Sequence, residues 1–411
     1  MLVFTFPGQG SQRAEMGRPW VDHPSWGVVE EASEAAGRDL AQLLLRAPIE
    51  TLTETANAQM CTFVLSLVVL DAVERLGLSP GACAGHSLGE YTALVAAGAV
   101  TFGDGVELVA ARGEAMSRAT ADAPGTMAAL MGLGDDDAEL ACQRADGEVW
   151  VANYNGTGQV IIAGRPAAVE AAAAIARELG ARKVVPLPVA GAFHTPLMGG
   201  AQPALRKALD EVSFVPSEVP VVANVDALAH RDPAEWPTLL AAQLCRPVRW
   251  HQSLGTLVDL GAQALVELGP GGVLSGLAKR GAPGARALSV AAPEDLDALM
   301  DAVTELELVS ARPRRHRSPV GGGRNYLSDR LVVSPAAGSF RPAGSLAATE
   351  VGFDGPGRRA LDVGEVVGFV GALEVRTPFS GHIVRWFVGE GDAVRDGQPV
   401  LRLRATEAAD G

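Results

Sequence analysis

The stretch around Gly85-His86-Ser87-Leu88-Gly89 limits the fold more than any other part of the chain. It lies between a short apolar run, Ala82–Gly85, and a helix-forming run, Leu88–Ala97. Glycines on both sides of a serine let the backbone turn sharply from strand to helix. The turn lifts Ser87 clear of the sheet, beside the unpaired N–H groups of the helix N-terminus. A serine nucleophile requires both the exposure and the donors. The reading is therefore a sheet whose strands feed directly into helices, with Ser87 as candidate nucleophile.

The rest of residues 1–300 agrees with that reading. Leu2–Phe6 is a short apolar strand, and Cys61–Leu76 has helical spacing. Strand and helix patterns alternate, which predicts α/β layering: a hydrolase-like core with a mostly parallel sheet. Residues 125–189 break the pattern. Thr126–Met131 reads as strand, Asp135–Arg144 as helix, and Val149–Asn153 and Gln159–Ala163 as strands. Pro166–Leu179 is then an alanine-rich helix and Lys183–Val189 a last strand. This β-α-β-β-α-β order is the ferredoxin-like signature, and it predicts a subdomain inserted between core segments 1–124 and 190–300, with a cleft between the two.

Beyond residue 300 the composition changes. Arg312-Pro-Arg-Arg-His-Arg317 and Gly321-Gly-Gly323 mark a linker over 301–330. From 331 to 405, short strand-like runs alternate with glycines and show no helical period. Leu361, Gly364, Val367 and Val370 recur 33 positions later as Val394, Gly397, Val400 and Leu403. A duplicated β-unit closing into an all-β flattened barrel fits this spacing.

Charge and composition exclude some functions. With a formal net charge of −14, nothing offers to neutralise a row of phosphates, so no nucleic-acid partner is expected. The longest apolar run, Met60 to Leu70, is too short to span a bilayer, which takes about 20 residues. The N-terminus carries no basic region or cleavage site of a signal peptide, so neither secretion nor a membrane partner is expected. The four cysteines, Cys61, Cys83, Cys142 and Cys245, are scattered without metal-ligand spacing. They read as idle thiols in a reducing, cytoplasmic setting, and no metal is expected.

Seven motifs, the serine turn among them, occur in one order across nearly all of residues 1–290. They are Phe6-Pro-Gly-Gln-Gly-Ser-Gln12, Gly85-His-Ser-Leu-Gly-Glu-Tyr91, Arg112 within Ala-Ala-Arg-Gly, and Val151-Ala-Asn-Tyr-Asn155. They continue with Gly191-Ala-Phe-His-Thr-Pro-Leu197, Gln243-Leu-Cys-Arg-Pro-Val-Arg-Trp250 and Glu267-Leu-Gly-Pro-Gly271. In these the chain resembles the malonyl-CoA:acyl carrier protein transacylases and the related acyltransferase domains of fatty-acid and polyketide synthases. The resemblance implies transfer of malonyl from malonyl-CoA to the phosphopantetheine thiol of an acyl carrier protein, in ping-pong fashion through an acyl ester on Ser87. It implies His194 as the acid–base, oriented by a main-chain carbonyl near Gln243 rather than by a carboxylate. It places the oxyanion on the backbone N–H groups of Gln9 and Leu88. Arg112 would hold the malonyl carboxylate, and Phe193 would exclude a methylmalonyl branch. His86, beside the nucleophile, reads as structural.

The C-terminal segment has its own resemblance. Ser334-Pro-Ala-Ala-Gly-Ser-Phe340, Val363-Gly-Glu-Val-Val-Gly368, Thr377-Pro-Phe-Ser-Gly-His382 and Glu390-Gly-Asp-Ala-Val394 are similar to biotinyl/lipoyl carrier domains. Those domains attach their cofactor to a lysine at a hairpin tip. Here Ala372-Leu-Glu-Val375 stands in that place, with Glu374 where the lysine belongs. A carboxylate cannot form the required amide, so no biotin or lipoyl cofactor is expected. Two other functions compete with the transacylase: a serine hydrolase using the same elbow, and a non-enzymatic adaptor built on a retired core. A hydrolase calls for an acid between serine and histidine, and an adaptor for lost catalytic positions; neither matches this chain.

Overall fold

The computed structural model describes residues 1–189, 191–306, 329–344, 360–377, 380–386, 388–395 and 398–405. The chain divides into two compact units, Met1–Ser310 and Ala311–Gly411. The expected linker falls largely outside the described residues. Its first part does not: the helix Asp295–Glu305 of the first unit runs past the boundary expected at 300.

The first unit is built on a six-stranded sheet. Its order is Arg286–Val290, Ala264–Leu268, Leu2–Phe6, Ala82–Gly85, Val221–Val222 and Ala229–His230. All neighbours are parallel except the last pair, so the sheet is mixed at one edge. Leu2–Phe6 is buried throughout, as expected of a central strand covered on both faces. Below one face, Val3, Ala82, Ala84 and Val222 pack against Trp250, Leu254 and Leu257 and against Leu274 and Leu277.

The helix Thr55–Arg75 is six residues longer at its start than the spacing suggested. Asn57 and Gln59 look like loop residues in sequence, but inside the fold both find hydrogen-bond partners, including Arg38 for Asn57 and Arg112 for Gln59. Among the described residues it is the one helix long and apolar enough to cross a membrane, and it is almost wholly buried in the protein.

Residues 126–186 form a four-stranded antiparallel sheet ordered Val149–Gly156, Gln159–Gly164, Thr126–Met131, Lys183–Pro186. Helices Asp135–Arg144 and Pro166–Glu178 supply Ala138, Ala141, Ala172 and Ala176 to its core. The last strand stops at Pro186, short of the expected Val189. Pro186 and Pro188 have no N–H to continue the ladder. The strand Val149–Gly156 also joins this sheet to the rest of the unit, through Tyr154 N–H to Val248 O at 2.9 Å and Val248 N–H to Ala152 O at 2.9 Å.

Among the described residues, the second unit has two four-stranded sheets and no helix. One is ordered Asp329–Val333, Pro399–Ala405, Gly381–Trp386, Ala360–Leu361. The other is ordered Leu373–Arg376, Val366–Val370, Gly338–Pro342, Ala393–Val394. The 33-residue repeat has a structural counterpart. Leu361 and Val394 each lie on a two-residue strand in one sheet, and the strands that follow, with Val367 and Val400, lie in the other. All four side chains enter a core centred on Phe340; Gly397 lies outside the described residues.

The hairpin tip differs from expectation. The turn is Gly371-Ala372, with Gly371 at φ 62, and Val370 pairs with Leu373. Glu374 therefore sits inside a strand opposite Phe369, not at the tip. Glycine accepts the positive φ without a Cβ clash and draws the turn to itself.

Candidate active site

The strand Ala82–Gly85 runs into the helix Gly89–Ala96 through a turn that only glycine permits on either side of Ser87. A Cβ on Gly85 would lie 1.9 Å from the backbone of Gly89, and one on Gly89 would lie 2.0 Å from Phe6 O. Ser87 itself has φ 55, a left-handed backbone costing about 1–3 kcal/mol for a residue with a Cβ. Asn224 holds the turn from outside: Ser87 N–H donates to its Oδ1 at 2.7 Å, and its Nδ2 donates to Gly85 O at 2.6 Å.

Ser87 Oγ lies 2.8 Å from His194 Nε2, and His194 Nδ1 lies 2.8 Å from the backbone oxygen of Gln243. A carbonyl can only accept, so Nδ1 carries the imidazole proton and Nε2 presents its lone pair to the hydroxyl. Arg112 fixes the other side. Its Nη2 donates to Ser87 Oγ at 3.2 Å, and because guanidinium has no acceptor, the serine O–H is left to point at His194. Burial and the Arg112 charge push the His194 pKa down to about 3. The imidazole is therefore a neutral base across the physiological range.

Arg112, 1 % exposed, belongs to the helix Phe102–Asp122. Its Nη1 donates to Gln59 Oε1 at 2.7 Å and its Nη2 to Gln243 Oε1 at 3.0 Å. The Tyr91 ring lies 5.3 Å from the guanidinium carbon, within reach of a cation–π contact. Burial lowers the Arg112 pKa, but not enough to discharge a guanidinium near neutrality.

Leu88 is buried and opens the helix Gly89–Ala96, while Gln9 is half-buried in the loop after the first strand. The N–H groups of both make no hydrogen bond to any described residue. Phe193 is buried immediately before His194, against Gly191, whose added Cβ would fall 2.5 Å from its ring. His86 points away from Ser87, with Nε2 2.8 Å from Asn155 Oδ1.

The structure thus brings Ser87, His194, Arg112 and Gln243 into one hydrogen-bonded cluster, with Leu88 next in sequence to the serine and Phe193 next to the histidine. Sequence reasoning missed Gln59, Asn224 and Glu90, and foresaw only the backbone of Gln243. Glu90 stood inside the quoted Gly85–Tyr91 motif; nothing local to Gln59 or Asn224 marks them. Among the described residues no group of histidine, cysteine and acidic side chains could hold a metal ion.

Comparison with known proteins identifies the family. Residues 3–293 match the acyl transferase domain family. A malonyl CoA-acyl carrier protein transacylase of Bacillus subtilis (strain 168) is 38 % identical over 312 residues, covering 74 % of this chain and 98 % of that protein. The Escherichia coli (strain K12) protein of the same name is 40 % identical over 286 residues, covering 68 % and 92 %. Among solved structures, a malonyl-CoA:acyl carrier protein transacylase from Xanthomonas oryzae superposes with a TM-score of 0.71 at 40 % identity, covering 73 % of this chain and 98 % of that one. A malonyl transacylase solved in complex with its type II polyketide synthase acyl carrier protein superposes with a TM-score of 0.71 at 34 % identity, over 73 % and 99 %.

Proposed function

This chain belongs to the acyl transferase domain family, and from that membership we propose its reaction. It transfers a malonyl group from malonyl-CoA to the phosphopantetheine thiol of an acyl carrier protein, by a ping-pong route through an ester on Ser87. Ser87 Oγ attacks the thioester carbonyl while its proton passes to His194 Nε2. The tetrahedral oxyanion is held by the Gln9 and Leu88 N–H groups, whose freedom from partners among the described residues supports the role. Collapse breaks the C–S bond, the proton returns from His194 to the CoA sulfur, and malonyl-Ser87 remains. In the second half the carrier thiol gives its proton to His194, its sulfur attacks the ester, and the proton ends on Ser87 Oγ.

The observation that carries this reading is a buried arginine in contact with the nucleophile. An isolated guanidinium is costly to bury, and Arg112 gains an anionic partner when a malonyl carboxylate arrives. Its planar fork fits a carboxylate with two parallel bonds and separates malonyl from acetyl by a whole charge. Phe193 fills the space a methyl branch would need, a discrimination of about 1–3 kcal/mol.

We read residues 126–186 as a ferredoxin-like subdomain, supported by the strand order and its two helices. The second unit is read as a flattened barrel related to biotinyl/lipoyl carriers, supported by the paired sheets and the internal repeat. Its hairpin turn is Gly371-Ala372, Glu374 in the following strand is engaged by Arg376, and the three lysines of the chain, Lys183, Lys207 and Lys279, all lie in the first unit, so it carries no biotin or lipoyl group. A reducing cytoplasm suits the thiols; burial pushes Cys61 and Cys142 up to about 12, leaving them unreactive.

The test is intact-mass analysis after exposure to malonyl-CoA. The wild type gains one malonyl mass and Ser87→Ala gains none; an undiminished adduct on the alanine variant would remove Ser87 from the mechanism.

A further inference from the structure

Glu90 is a fully buried carboxyl group three residues past the nucleophile, and the mechanism above does not use it. Its Oε1 accepts the backbone N–H of Asn224 at 2.8 Å, and its Oε2 accepts Nε2 of the Gln243 side chain. Both oxygens act as acceptors, the pattern of an ionised carboxylate; the neutral acid would add an O–H that needs an acceptor of its own.

Gln243 passes this constraint on. A side-chain amide has a donor end and an acceptor end, so fixing its NH2 fixes its oxygen. With Nε2 on Glu90 and on Ser87 O at 2.8 Å, Oε1 is left to face Arg112 Nη2. Among the described residues no carboxylate touches Arg112 directly, although the guanidinium is buried. A carboxylate in direct contact would occupy the fork that an incoming carboxylate needs. An amide between them steadies the arginine and leaves its charge available.

The geometry points to Glu90 as a positioning residue for the anionic acyl group: its carboxylate orients the Gln243 amide, and that amide holds the Arg112 guanidinium beside Ser87. The inference rests on the reading that Arg112 receives the malonyl carboxylate. It assigns a task to a residue that contacts neither the acyl group nor the reacting atoms.

Burial pushes the Glu90 pKa up to about 7, against the bonds from Asn224 and Gln243 and the charge of Arg112, which pull it down; Asp226 adds a smaller push upward. The carboxylate is the form present above that value and is lost as pH falls through it. Protonation at Oε2 would set its O–H against the Gln243 NH2, donor facing donor, and loosen the amide that steadies Arg112. Malonyl handling should therefore weaken on the acid side of neutrality, while acetyl-CoA, with no carboxylate to place, should not share that limb. Titration of His194 lies far lower and does not blur it.

The experiment measures Ser87 acylation of the full-length protein by malonyl-CoA and by acetyl-CoA, between about pH 5 and about pH 9. Wild type, Glu90→Gln and Glu90→Asp are compared, with folding checked by circular dichroism and thermal melting. Glu90→Gln is expected to lose about tenfold or more in malonyl kcat/KM, mostly through KM, and to change acetyl acylation less than about threefold. Its malonyl profile should also lose the acid limb near neutrality, while Glu90→Asp keeps a limb at a shifted pH. Equal losses with both substrates, an unchanged malonyl rate, or a limb that persists in Glu90→Gln would overturn the inference. Should Glu90→Gln fail to fold, identical wild-type limbs for malonyl and acetyl would overturn it alone. A wild type that forms no malonyl ester at any pH would instead remove the function proposed above.

Discussion

Ser87 and Gly371 both follow a strand, and both have left-handed backbones, with φ 55 and 62. At Gly371 the absence of a side chain makes the conformation free, and the neighbouring Glu374 and Arg376 pair with each other at the surface. At Ser87 a residue with a Cβ is forced into the same region and held there by Asn224, by two glycines packed against backbone, and by Gln243. The same contrast runs through the two units. The first buries Glu90, Arg112, His194, Asn224 and Gln243 in one network. The second has a core of valine, leucine, isoleucine, alanine and phenylalanine, and its described buried polar residues are Ser334 and Thr377. Strain and buried charge persist where the surroundings over-determine them, so they locate the chemistry in the first unit.

Removing the buried cation should produce the largest divergence between the units. Arg112→Ala is expected to lose about 3–5 kcal/mol of malonyl binding in the transition state, roughly 10²–10⁴-fold in kcat/KM, by the cost of breaking a buried ion pair. Its acetyl-CoA rate should rise relative to malonyl-CoA, which competition between the two thioesters would measure. Equal losses for both substrates would mean that Arg112 serves the fold rather than the substrate charge.

A core deletion in the second unit should do the reverse. Phe340 is fully buried, lies 6.0 Å from the Trp386 ring, and sits against Gly368. Phe340→Ala is expected to destabilise that unit by about 3–5 kcal/mol while leaving Ser87 acylation unchanged. Denaturant titration followed by near-ultraviolet circular dichroism, beside the acylation rate, tests this. A parallel fall in both would show that the two units do not act separately.

The smallest effect is expected from omitting the second unit. Relatives such as the Bacillus subtilis and Escherichia coli transacylases match this chain over 98 % and 92 % of their own lengths, and the family match ends at residue 293. A chain ending near residue 320 should therefore acylate and transfer within a few-fold of the full rate. Lost transfer with acylation intact would make the β-unit a docking surface for the carrier.

How far the sequence foretold these features varied with the range of the interactions. The Ser87 elbow was legible because everything that shapes it, from Ala82 to Ala96, is local. The order of strands and helices in residues 126–186 was legible for the same reason, since each element carries its own period. His194 and Arg112 could be marked only by resemblance, because nothing near them in sequence distinguishes them from other histidines and arginines. Glu90, Gln59 and Asn224 take their tasks from partners 153, 53 and 137 positions away, and local patterning carries no trace of such contacts. The start of the Thr55–Arg75 helix was missed because Asn57 and Gln59 look exposed until the fold supplies their partners. The hairpin tip was misplaced by a resemblance that put Glu374 there, whereas Gly371 offers the cheaper turn.

The central claim is that Ser87 hands its acyl group to a carrier thiol, and a chase experiment tests it most directly. Protein loaded with malonyl-CoA and freed of excess thioester is mixed with acyl carrier protein bearing its phosphopantetheine arm, and both masses are followed. The account predicts that the malonyl mass leaves the enzyme and reappears in equal amount on the carrier, only when the arm is present, and that Ser87→Ala transfers nothing. Release of free malonate with the carrier unmodified would contradict it and make the chain a hydrolase.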